Sequence, residues 1–149
     1  MATQTGRTNL KYVSVFVDNS SGTLTDLSAY LNTAGTFGLT YPEQDVTGIS
    51  NAIQNVTIGR PSAPLTLVWK FDSVVMAHFN ALDRNTPLTI DIRIGVRHAW
   101  EAGEPCFGIT SSATSGYVLK DLTTDGEIIT TTFNIFGAVA PDFATAAHT

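Results

Sequence analysis

Two stretches carry a large apolar side chain at every second position: Leu65-Thr-Leu-Val-Trp-Lys-Phe71 and Leu88-Thr-Ile-Asp-Ile-Arg-Ile94. A period of two is typical of a strand with one face on a core and the other in water. Between the stretches, large apolar residues recur at helical spacing, namely Val75, Met76, Phe79 and Leu82. Residues 65–94 therefore predict a strand, a short helix and a second strand.

The helix has recognisable ends. Asp72 or Ser73 can cap its N-terminus, and Asn85 and Pro87 can end it after about three turns. Its apolar stripe must pack on another surface, and the two flanking strands provide one. Burial contributes about 1.5–3 kcal/mol for each large side chain, so this unit is expected to nucleate a single core.

The rest of the chain is predicted to be mostly strands. Residues 23–31 fit either a short helical turn or a kinked strand, and Asp125-Gly126 predicts a hairpin turn. Residues 110–116 are expected to be a flexible hairpin connection. The further predicted strands cover residues 11–17, 37–41, 54–58, 106–109, 117–122 and 127–136. The fold class is mainly β, with seven or eight strands in a β-sandwich or partly closed barrel and one flanking α-helix.

The remaining segments lack periodicity. Residues 1–10 are predicted to be a flexible N-terminal arm, and residues 42–52 and 95–105 to be exposed loops. The Ala-rich tail, residues 137–149, is expected to be loose beyond Phe143. The chain of 149 residues is thus interpreted as one domain.

The composition limits the classes of function. Only 14% of residues are charged, which favours a surface partly covered by neighbouring molecules. A net charge of −5 excludes a general nucleic-acid binder, because phosphates would be repelled. Cys106 is the only cysteine, so no internal disulfide is expected. With no secretory signal and no membrane-spanning run, the sequence favours a soluble protein made in a reducing cytoplasm, with no membrane partner.

No catalytic constellation is evident. The metal-capable group His98, Glu101, Glu104 and Cys106 matches no closed zinc pattern, and a loop with solvated charges is the preferred interpretation. Cys106 would need a base to act as a nucleophile, yet His78 falls in the helix and His148 in the tail, so a buried thiol is expected. Asp91 and Arg93 fit a functional pair or, more commonly, cross-strand surface charges. We therefore expect no enzyme, no cofactor and no metal.

The order of the parts carries a resemblance. An early strand runs into Asp18-Asn-Ser-Ser-Gly-Thr-Leu-Thr-Asp-Leu-Ser28, and a loop with Asp45-Val-Thr-Gly48 precedes the strand that leads into Asp72. A helix and an alternating strand follow, and the chain closes with Thr132-Phe-Asn-Ile-Phe-Gly-Ala-Val139. Over residues 11–140 this order resembles the major tail tube proteins of long-tailed bacteriophages. Residues 97–105 and the Ala-rich tail have no counterpart in it.

The resemblance implies a structural virion protein of the phage tail, made in the bacterial host cytoplasm. Such subunits form homo-hexameric rings that stack into a tube and contact other tail proteins, while arms and loops join successive rings. DNA passes through the lumen without specific binding. Candidate lumen-facing residues are Thr89, Asp91, Thr130, Thr132 and Asn134, unless these side chains face bulk solvent on a monomer. The main alternative is a capsid decoration protein, which would form trimers or stay monomeric, and an enzyme is the third.

Overall fold

The computed structural model describes residues 12–49, 52–95 and 100–149. Across these ranges the chain forms eleven strands, one α-helix (α1, Ser73–Asn80) and a 3-10 turn (Ser28–Tyr30). The strands are β1 (Tyr12–Asp18), β2 (Leu24–Asp26), β3 (Leu31–Thr33), β4 (Glu43–Asp45), β5 (Val56–Ile58), β6 (Leu65–Lys70), β7 (Ile90–Gly95), β8 (Cys106–Ile109), β9 (Gly116–Thr124), β10 (Ile128–Phe136) and β11 (Asp142–Ala144).

Two antiparallel sheets and a separate hairpin organise these strands. Sheet A has the order β11-β8-β7-β1-β2, sheet B has the order β3-β6-β10-β9, and β4 pairs with β5 alone. One buried cluster contains apolar side chains of both large sheets, including Val15, Ile92, Leu67, Trp69 and Phe133. The described strands form a sandwich-like arrangement and close no barrel. The predicted mainly β class is thus confirmed, because alternation directs every second side chain of the long strands into this core.

Helix α1 packs against the core. The Asp72 carboxylate caps it by accepting a hydrogen bond from the Val74 amide at 2.8 Å. The Phe79 ring is buried, 5.3 Å from the Trp69 ring and 6.1 Å from the Phe133 ring. The helix has eight residues, about two turns instead of the predicted three. Leu82 lies beyond the helix end but is still only 7% exposed.

Local turn chemistry explains the hairpin between β9 and β10. Gly126 has φ +92°, a left-handed conformation that suits glycine. The Asp125 carboxylate accepts hydrogen bonds from the amides of Glu127 and Ile128 at 2.9 and 3.0 Å. These bonds stabilise the charged form and lower the pKa of Asp125. The predicted Asp-Gly turn is confirmed.

Three local predictions were wrong. Residues 37–41 form no strand, and only Thr40 makes an isolated bridge, to Ser62. The loop predicted at 42–52 contains β4. Residues 110–116 do not connect a hairpin, since β8 belongs to sheet A and β9 to sheet B. For residues 23–31, where two alternatives were open, the structure has β2, the 3-10 turn and β3.

The C-terminal tail is ordered, contrary to prediction. Strand β11 pairs with β8 at the edge of sheet A, and the Phe143 ring lies 4.7 Å from the Phe107 ring. Farther along, His148 is buried. An Ala-rich segment lacks periodicity, so its docking depends on these few larger side chains. The predicted arm, residues 1–10, lies outside the described residues. None of the described helices is long and apolar enough to cross a membrane.

Candidate functional site

The tail covers part of the outer face of sheet A, around Asp91 and Cys106, while Phe16 and Arg93 on the same face stay partly exposed. Asp91 points away from the core, yet its side chain is 0% exposed. His148 Nδ1 lies 3.1 Å from Asp91 Oδ1, and His148 Nε2 lies 2.7 Å from Asp142 Oδ1. Thr89 is also buried, with its hydroxyl 2.9 Å from the Ser111 hydroxyl. The prediction that Thr89 and Asp91 lie on a wet, lumen-facing surface was wrong, because other parts of the chain cover both side chains.

The buried carboxylate of Asp91 is fully paired. Arg93 Nε donates to Asp91 Oδ2 at 2.7 Å, while Oδ1 faces His148. The Arg93 guanidinium also lies 4.0 Å from the Phe16 ring centroid and 5.1 Å from that of Trp100. These contacts are inside the subunit, so Asp91 and Arg93 are not surface charges. A buried charge is tolerated when it is paired in this way.

His148 faces a carboxylate at each of its ring nitrogens. Through these two contacts the ring bridges β7 and β11. This bridge ties the end of the tail to the middle of sheet A.

Cys106 completes a buried cluster with Asp91 and His148. Its sulfur lies 3.8 Å from His148 Nδ1 and 3.1 Å from the Ala146 carbonyl oxygen. Burial, with a smaller contribution from the Asp91 charge, raises the pKa of the thiol to about 11. A protonated thiol is a poor nucleophile at neutral pH. The prediction of a buried thiol is confirmed.

Sequence reasoning did not bring these three residues together. Asp91 and His148 are 57 positions apart, and Cys106 and His148 are 42 apart. One signal was available: alternation places Asp91, Arg93 and Cys106 on one face, and Arg93 and Cys106 are opposite each other in the β7–β8 pair. No pattern in the sequence indicates that His148 of the tail packs against them.

Of the metal-capable group considered in the loop, the described members Glu101, Glu104 and Cys106 are not brought together as ligands. Glu104 is completely buried, and its Oε2 accepts a hydrogen bond from the Glu101 amide at 3.0 Å. The interpretation of solvated loop charges was therefore wrong for Glu104. His98 lies outside the described residues. His78 is on α1, where burial lowers its pKa.

The outer face of sheet B, in contrast, is partly exposed and mixes polar residues with the apolar side chains of Val68, Val118, Ile128 and Phe136. Thr130 and Thr132 are half-buried and Asn134 is exposed, while Ile129, Thr131 and Phe133 alternate with them into the core. Thr66 and Lys70 of the neighbouring β6 are exposed on the same side. The five candidate lumen residues therefore lie on opposite sides of the sandwich. Only Thr130, Thr132 and Asn134 remain candidates for lining a channel.

The β4–β5 hairpin exposes an apolar surface. Every residue of its two strands is exposed, and no residue between 43 and 58 belongs to the described core. The large apolar side chains that it shows to solvent are Val46, Ile49, Ile53, Val56 and Ile58. A two-stranded hairpin is marginally stable alone, and contiguous apolar surface marks an interaction site.

Sheet B also has incomplete edges. Strand β3 ends one side with three residues. At the other side, Tyr117 of β9 is bridged to Leu88, and Arg84 Nη1 lies 3.5 and 3.4 Å from the carbonyl oxygens of Leu119 and Lys120. Among the described residues, no strand pairs with residues 121–124 on that outer side. An unpaired strand edge can accept a strand from another molecule.

Comparisons with known proteins add no relative to this description. A scan of the sequence against models of protein families and a search of curated proteins both found no match. The resemblance to tail tube proteins therefore stays a prediction, which the exposed surfaces of the chain and experiment must test.

Proposed function

We propose that this protein is a structural virion protein, the subunit of a phage tail tube made of stacked hexameric rings around a DNA channel. The observation that carries the proposal is the β4–β5 hairpin, which exposes five large apolar side chains. Burying such a side chain contributes about 1.5–3 kcal/mol. The partner that fits is a second copy of the chain, because a chain with so few charges leaves much surface suited to contact with neighbours.

The hairpin favours an assembly that can continue. Its strands pair with neither large sheet, so it is a different element from the open edges of sheet B. Contact between two different surfaces is heterologous, and such contacts generate rings when the rotation closes and filaments when it does not. In a tube, sheet edges would join subunits into closed rings, and the hairpins would join successive rings into a filament.

The outer face of sheet B is the proposed lumen. Its polar side chains on β10 are Thr130, Thr132 and Asn134. The exposed charges on the flanking strands are of both signs, with Lys70 on β6 and Asp121 on β9. Small neutral side chains and balanced charges offer DNA no dense cationic surface, and the subunit as a whole is acidic. DNA can therefore pass such a wall without specific binding.

Negative-stain electron microscopy of the concentrated protein tests the proposal directly. We expect hollow tubes with a stain-filled channel and six subunits in each ring. Compact trimers under every condition would instead indicate a capsid decoration protein. A protein that remains monomeric at every concentration would overturn both assignments.

Variants of the hairpin test the observation itself. Val56 and Ile58 alternate with Thr57 along β5, so they share one side of the strand. The double change Val56→Thr and Ile58→Thr keeps β-branched side chains but removes apolar surface. We expect a folded subunit that no longer forms tubes. The matched control Thr57→Val should assemble normally, and tube formation by the double variant would refute the role of the hairpin.

Cysteine accessibility tests the assignment of the lumen. Asn134 and Asn80 are both exposed, and the native Cys106 is buried and gives little background. In tubes, the Asn134→Cys variant should react with a small maleimide but not with one carried on a polymer too wide for the channel. In unassembled protein the Asn134→Cys variant should react with both maleimides. The Asn80→Cys control should also react with both. Reaction of Asn134→Cys tubes with the wide polymer would place sheet B outside the channel.

A further inference from the structure

Three different metal-binding atoms converge beneath the tail. Asp91 Oδ1, Cys106 Sγ and His148 Nδ1 all lie within 4.8 Å of one another, and all three residues are buried. Zinc takes sulfur, nitrogen and oxygen ligands at about 2.0–2.3 Å, so tetrahedral ligand atoms are about 3.3–3.8 Å apart. The separations here are 3.1 Å from His148 Nδ1 to Asp91 Oδ1 and 3.8 Å from His148 Nδ1 to Cys106 Sγ. We propose that Asp91, Cys106 and His148 bind one Zn²⁺ ion and thereby fasten the tail to sheet A.

The groups around the three ligands support this assignment. His148 Nε2, the nitrogen that would not touch the metal, lies 2.7 Å from Asp142 Oδ1. Histidine ligands almost always donate their second ring N–H to a carboxylate, a carbonyl or water, which fixes the ring and its tautomer. In the same way, Arg93 Nε holds Asp91 Oδ2 at 2.7 Å and leaves Oδ1 turned toward the cluster. Both outer partners therefore orient the ligands as a metal site requires.

The charge of the cluster suits a divalent ion. Metal ligands bind in their deprotonated forms, so the thiolate and the carboxylate would supply two negative charges and the imidazole none. These balance the charge of one Zn²⁺ ion and leave the buried site without net charge. Thiolate with imidazole and carboxylate is also a donor set that zinc accepts readily.

The position of the site explains what the ion would do. Two ligands belong to adjacent strands of sheet A, and the third lies in the tail after β11. A surface groove lined by Thr110, Asp142, Ala144, Ala146 and His148 gives an ion a route to the ring. The site is contained in one subunit, so its test does not depend on tube assembly.

Zinc titration of the full-length protein, after removal of metal with a chelator, tests the proposal. Calorimetry should give one Zn²⁺ per chain and, from buffers of different ionisation enthalpy, release of protons, because the Cys106 thiol must lose its proton to bind the metal. Zinc should raise the melting temperature, because it binds the folded state. Co²⁺ in its place should give the absorption of a thiolate-to-cobalt charge transfer. No zinc binding by the wild-type chain would overturn the proposal.

Variants separate this site from adventitious binding. Cys106→Ser and His148→Gln should lose zinc binding and the cobalt signal, and circular dichroism without metal establishes that each is folded. Asp142→Asn should keep one site but weaken zinc affinity by about 10–100-fold, as loss of an outer carboxylate does. The control His78→Gln changes a histidine on α1 and should bind zinc like the wild type. Unchanged binding by folded Cys106→Ser and His148→Gln would refute the assigned ligands.

Discussion

The hydrogen bond between the Trp69 indole and Thr131 provides a test of the core. The Thr131 hydroxyl accepts the Trp69 Nε1–H at 2.9 Å and donates to the Leu67 carbonyl oxygen at 3.1 Å. Both side chains are completely buried. The change Thr131→Val keeps the β-branched shape but leaves the indole N–H without a partner.

The expected loss of stability follows from these two bonds. A buried donor left unsatisfied costs about 1–3 kcal/mol, and loss of the second bond adds about 0.5–1.5 kcal/mol. Burial of the new methyl group returns about 0.8 kcal/mol. We therefore expect Thr131→Val to lower the free energy of unfolding by about 1–4 kcal/mol. For a chain of this size that lowers the melting temperature by roughly 2–4 °C per kcal/mol.

Equilibrium unfolding in urea, on dilute protein, measures this loss. Thr132→Val is the matched control, because it makes the same change at the next position on the half-buried outer face and should stay within about 0.5 kcal/mol of the wild type. Trp69→Phe completes a double-mutant cycle with Thr131→Val. Equal stability of the Thr131→Val and Thr132→Val variants, or strict additivity in the cycle, would refute the reasoning.

Three other experiments probe Leu82 near the helix, the buried carboxylate of Asp91 and the thiol of Cys106. Leu82→Ala should cost about 2–5 kcal/mol and reduce soluble yield, whereas wild-type melting would show that this residue is peripheral to the core. Asp91→Lys places a cation beside Arg93 and breaks a buried pair, so it should cost about 3–5 kcal/mol; normal unfolding would contradict the burial of Asp91. The raised pKa and burial of Cys106 predict negligible alkylation of the folded protein at pH 8 and rapid alkylation in urea; equal rates would show an accessible thiol.

The elements that sequence could predict are those governed by local rules. Strands β6 and β7 follow from alternation, since Leu65, Leu67 and Trp69 of β6 and Ile90 and Ile92 of β7 enter the core. The cap at Asp72 and the turn at Asp125 depend on side chains that bond backbone amides two or three residues away. Such interactions need no knowledge of the rest of the fold.

The cover of sheet A could not be predicted in the same way. Alternation places Asp91 opposite the core, but it does not say whether water or protein lies on that side. The answer depends on His148, 57 positions later, in a segment with no periodicity. Strand β4 was missed for a related reason, because all three of its residues are polar and exposed and no alternation develops.

The docked tail makes the two sides of the sandwich unequal, and a directional assembly requires such inequality. If both sheets showed open polar faces, either could line a channel, and rings could form in two orientations. Here His148 and its neighbours bury Asp91 and Cys106 on the outer face of sheet A, while on sheet B Thr130 and Thr132 stay half-buried and Asn134 is exposed. Under the proposed assembly, the tail therefore favours sheet B as the lumen wall, because it closes the part of sheet A around Asp91 to water and passing DNA. Release of the tail would expose Asp91 and Cys106, remove β11 from the edge of sheet A and reduce the difference between the two sides.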